Sequence, residues 1–116
     1  MNNLEARQQR FLRHTQPKRY GNLSTNFNRI ALYSEQGGDS GEVLYFIQES
    51  KHFAEWTALE AELEIQTQLA DMQRQLTRWE LHWTQTWDNL EKRQTMQDEA
   101  RVMSNKLLEW AGLNQN

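Results

Sequence analysis

The chain has no cysteine and one proline, and its five glycines all fall at or before Gly41 or at Gly112. Without cysteine there are no disulfides and no thiolate metal sites, which fits a reducing compartment. Long apolar runs are also missing. The longest, Val43 to Ile47, is five residues, whereas a membrane-spanning helix needs about 20. Met1 to Glu5 carry no hydrophobic stretch of the signal-peptide kind. The sequence is therefore expected to encode a cytoplasmic protein. Apolar residues make up only 37% of it, and mean hydropathy is −0.97. That is little material for a large core, and it favours an elongated helical protein or one that buries surface on a partner.

What the chain does have is an uninterrupted middle. Glu42 to Ala111 contains no glycine or proline, the usual punctuators of a chain. Apolar or small residues recur through it in steps of three and four: Ser50, Ala54, Ala58, Ala61, Ile65, Leu69, Met72, Leu76, Trp79 and Trp83, then polar Thr86, then Leu90. This spacing makes one stripe on a helix, as in a coiled coil. The expected fold is all-α: an elongated helical hairpin or bundle with coiled-coil-like packing. It is built on one long helix over about 42–86, with a short helix before it and a C-terminal helix over about 89–111. Asp39 and Glu42 have capping-box spacing at the start, Asp88 and Glu91 repeat it near a weak stretch at 85–89, and Gly112 is a natural C-terminal cap. A β-hairpin over 29–47, turning at Gly37 to Gly41, is the competing reading of that segment.

Upstream, Asn2 and Glu5 suit a capped helix over 2–15, ended by Gln16 and Pro17. Residues 18–22 read as a linker, and Leu23, Phe27, Ile30, Ala31 and Ser34 mark one face of a helix over 24–36. The domain division is a basic N-terminal arm (1–22, partly flexible), a helical domain (23–113) and a frayed tail (114–116). Charge follows this division. Residues 1–29 hold six Lys/Arg and one acid, while residues 30–116 hold seven Lys/Arg and fifteen acids. Arg7, Arg10, Arg13, Lys18 and Arg19 form the arm, with Phe11 and Tyr20 interleaved.

Chemistry-bearing patterns are sparse. Gly37 to Gly41 lacks the Lys-Ser/Thr of a phosphate-binding loop, and there is no Gly-x-Ser-x-Gly elbow. His14, His52 and His82 are scattered. Glu49 and His52 match half of a di-iron carboxylate pattern whose other half is missing. No catalytic, cofactor-binding or metal-ligating residue is assigned, and no cofactor is expected. The leading expectation is a non-enzymatic helical interaction, adaptor or regulatory protein. It would associate with itself as a homodimer, or with another protein, through Ile65, Leu69, Met72, Leu76, Trp79, Trp83, Trp87 and Leu90. The alternative is a nucleic-acid-binding regulator using the basic arm, since clustered cations displace counterions from phosphates. A third reading is a ligand or chromophore held by the tryptophan strip.

Overall fold

Local signals place most of the helix starts. In the computed structural model, which describes residues 2–112, Asn2 caps α1 (Asn3–Leu12) by accepting the Glu5 N–H at 2.7 Å. Thr15 caps α2 (Gln16–Glu35), with Pro17 in the first turn, where a missing N–H costs nothing. Gly37, at φ 74°, turns the chain. Gly38 follows with its N–H on the Tyr33 carbonyl, where a Cβ would lie 2.8 Å from that oxygen. Asp39 then caps α3 (Ser40–Ala58). Helices α4 (Leu63–Leu81), α5 (Trp83–Asp88) and α6 (Leu90–Ala111) complete the chain, and Gly112 closes α6 in the left-handed region. Asn89, rather than Asp88, caps α6 through the Lys92 N–H. Among the described residues there is no strand, so 29–47 is helical on both sides of its turn.

Three expectations about extent are corrected. The helix over 42–86 is three helices, reversed at residues 59–62 and broken again at His82. Ala58, Leu59, Glu60 and Ala61 are good helix formers, but propensity is a weak prior that packing overrides. Folding back lays α4 along α3, whereas continuing straight would leave the α4 seam in water. The carbonyls freed at the end of α3 find side chains: Thr57 O accepts from Gln16 Nε2 and Ala58 O from Gln66 Nε2, both at 2.9 Å. The molecule is accordingly compact rather than elongated, with extents of 41 × 37 × 23 Å. Finally, residues 18–22 are not a linker but part of the first turns of α2, while the short N-terminal helix expected over 2–15 is present as α1 and packs on α3. The predicted tail, 114–116, lies outside the described residues.

The four long helices form the bundle, and α2 is its spine. It packs most extensively on α6, and also on α3, which in turn carries α4. Leu23, Phe27, Ile30 and Ala31 of α2 are fully buried, and each large one contributes about 1.5–3 kcal/mol by leaving water. Against α6 the backbones come close, because small residues face each other. Ser24 Oγ lies 2.8 Å from both Ser104 O and Ser104 Oγ, and Ser104 Oγ donates to Ser24 O at 3.1 Å. Tyr20 meets Trp110 edge-on farther along the same seam.

This close pairing predicts an asymmetry between two substitutions. Ser104→Ala keeps the approach and costs about 1 kcal/mol for the lost hydrogen bonds. Ser104→Leu must push the helices apart, and overpacking of that kind costs about 1–3 kcal/mol or more. Urea denaturation of both variants measures this, and equal stability for Ser104→Leu and the unaltered chain contradicts it.

Candidate functional site

Because α6 is drawn onto α2 and α4 is held on α3, α4 and α6 scarcely meet backbone to backbone. On the α3 side, α4 is pinned by polar side chains: Lys51 Nζ pairs with Glu80 at 2.8 Å, and Gln73 Nε2 donates to the Lys51 carbonyl at 3.1 Å. On the α6 side a single polar bridge spans the gap, from Gln75 Nε2 to the Glu99 carboxylate. A cavity opens on either side of this strut, of about 330 Å³ and about 380 Å³.

The two lobes follow one pattern. The first has Met72 of α4 and Met103 of α6, with Val102 and Lys106 on its edge. The second has Trp79 of α4 and Met96 of α6, with Thr95 on its edge and buried Thr86 from α5. Met72 to Trp79 is seven residues, and so is Met96 to Met103. Seven residues are close to two turns, so the lobe centres lie about 10.5 Å apart along each helix. Apart from Met1, every methionine of the chain lines this groove. Methionine is unbranched and polarisable, and it reshapes easily around an apolar guest. Val102, 64% exposed, stands on the rim.

Comparison with protein-family models, curated proteins and solved structures returned no match. The functional reading therefore rests on the geometry of the chain itself.

The residues picked from the seam divide three ways. Leu69, Met72, Leu76 and Trp79 are buried within this chain, Met72 and Trp79 as the floors of the two lobes. Ile65, Trp83 and Trp87 are half-buried against the same core. Leu90 is exposed on the first turn of α6. The tryptophan strip is not continuous, because the helix breaks at His82. Trp79 turns inward, while Trp83 gives its indole N–H to Ser40 Oγ and lies 5.4 Å from Trp87, on which Arg93 rests. Of the basic arm, Arg7 is paired with Glu49 and Arg19 with Glu60, each at 2.9 Å. Arg10, Arg13 and Lys18 are exposed and, among the described residues, form no ion pair. Glu49 is committed to Arg7, Asn26 and Tyr45, and His52 stacks on Trp56.

The groove's strut and rim went unread in the sequence. Gln75, Glu99 and Val102 carry no signal of their own there. The seven-residue interval from Met96 to Met103 was the available clue.

The Lys51–Glu80 pin has a pH signature. The hydrogen bond from Lys51 holds the Glu80 carboxyl below its ordinary value, against partial desolvation that pushes it up. The depressed value means the pair stabilises the fold above the ordinary carboxylate range and loses that contribution as pH falls through the folded value. Both groups are about 30% exposed, so the contribution is at most about 1 kcal/mol. Glu80→Gln should be less stable than the unaltered chain at pH 7 and indistinguishable from it near pH 3. A gap that stays constant across that range contradicts the assignment.

Proposed function

We propose that this protein is a non-enzymatic helical interaction module that receives one amphipathic helix of another protein in the α4–α6 groove. The observation that carries the reading is the pair of methionine-lined lobes seven residues apart. A guest helix with large apolar side chains at i and i+7 places one in each lobe, because its own rise over seven residues is about 10.5 Å. This is the groove mode of helix recognition. Between its anchors the guest passes over the Gln75–Glu99 strut, which suits a small or polar residue there. The rim carries both signs, with Asp71 and Glu99 against Arg78 and Lys106, so orientation is set by charge order rather than net charge.

A second copy of this chain is a poorer guest. Among the described residues, its exposed large apolar side chains are Leu4, Leu32, Tyr45, Leu59, Leu63, Leu81, Leu90 and Val102. No two of these are seven apart on one helix. The nucleic-acid alternative is weakened by the internal pairing of Arg7 and Arg19, two of the five arm cations.

The test is a displayed library of amphipathic helices with the seven-residue interval randomised. Selected helices are expected to converge on apolar anchors at i and i+7 and to bind with Kd on the order of micromolar. Val102→Glu, at an exposed position that leaves the fold intact, is expected to weaken them at least tenfold. Failure to select any binder, or binders indifferent to Val102→Glu, contradicts the reading. Dimerisation lost with Val102→Glu in sedimentation equilibrium would replace the foreign helix with a second copy.

A further inference from the structure

Away from the groove, α1 packs on α3, and a separate open hollow of about 320 Å³ lies between them and α2. Its walls carry Arg7 and Arg10 from α1, His14 from the turn after it, Asn22 from α2, and the Phe11–Phe53 stack, whose rings are 4.4 Å apart. Arg7 and Arg10, three residues apart, share one face of α1, and His14 joins them from the turn that follows the helix.

Arg7 is not a loose surface cation. Its Nη2 donates to Glu49 Oε2 at 2.9 Å, and Glu49 is itself fixed. Asn26, 1% exposed, donates to Oε1 at 3.0 Å, and the Tyr45 hydroxyl donates to Oε2 at 2.9 Å. Burial of Asn26 explains why a poor helix former sits in the middle of α2: it anchors the carboxylate that orients the arginine. Glu49 thus has both oxygens engaged, and it is the one acid lining the cavity. The other Arg7 donors, all of Arg10, and the His14 and Asn22 side chains have no acceptor among the described residues. A guanidinium held in place by buried partners, with unpaired donors around it, is the arrangement that recognises an oxyanion.

We infer that this cavity binds a phosphate group. Arg10 supplies the unpaired charge, Arg7, already paired with Glu49, adds its remaining N–H donors, His14 and Asn22 supply further hydrogen bonds, and the two phenylalanines form an apolar wall beside the anion. The group can arrive as free phosphate or on a small phosphomonoester, and the wall distinguishes the two.

The experiment is amide NMR of the whole chain, titrated with inorganic phosphate and, separately, with a nucleoside 5′-monophosphate. Ionic strength is held constant with chloride. Saturable shifts at Arg7, Arg10, His14 and Asn22 are expected with either anion. Tighter binding of the nucleotide places its base against Phe11 and Phe53, whereas equal affinity assigns the site to phosphate alone. Arg10→Gln, exposed and unpaired, should weaken binding at least tenfold while leaving thermal unfolding unchanged, and Lys92→Gln, on α6, should change neither. No shift beyond the chloride control overturns the inference, as does unaltered binding by Arg10→Gln. So does a single-stranded oligonucleotide that binds while both small phosphates fail, since that indicates an extended backbone track rather than a pocket.

Discussion

The Ser24–Ser104 contact, where two helices meet with only hydroxyl groups between their backbones, governs the rest of the molecule. With 37% apolar residues, the chain cannot surround every helix with a thick core. It sets Ser24 against Ser104 on the α2–α6 seam, and it packs α2 on both α6 and α3. Once α6 is committed to α2, it cannot also close on α4. The gap that results is spanned by long, flexible methionines and one polar strut, and this makes it a groove rather than a second seam.

The same economy explains the ion pairs. Arg19 is 6% exposed, yet it reaches Glu60, Gln16 and the Leu12 carbonyl. It ties the end of α1, the start of α2 and the α3–α4 turn together at one pole. Exposed pairs contribute little, but a buried arginine with three acceptors fixes geometry, since removing an acceptor strands a charge. Much of the basic segment therefore has structural work. The cations that remain outward-facing are those around the α1 cavity and the α1–α2 corner.

Local chemistry was legible in the sequence, and long-range choice was not. Asn2, Asp39 and Gly112 act where capping rules put them, because a cap depends on atoms within four residues of it. The buried face of α2 followed from the spacing of Leu23, Phe27, Ile30, Ala31 and Ser34. The reversal at 59–62 was hidden, because nothing local disfavours helix there. It exists because α3 offers Ile65, Leu69, Met72, Leu76 and Trp79 a surface to cover. The groove was hidden for a related reason: its floor residues looked like ordinary seam positions, and only the separation of α4 from α6 turns them into a lining. Asn26 is a poor helix former, and its place in α2 is accounted for only by Glu49 on α3, which its side chain holds.

If the α2–α6 seam is the frame on which the other helices hang, its amides open last. Native-state hydrogen exchange measures this residue by residue. The slowest amides should cluster around Leu23 to Ala31 and Ala100 to Leu107, near the global unfolding free energy, with α4 opening earlier and α1 and α5 earliest. Slowest exchange in α4, or α6 opening before α4, would contradict the account.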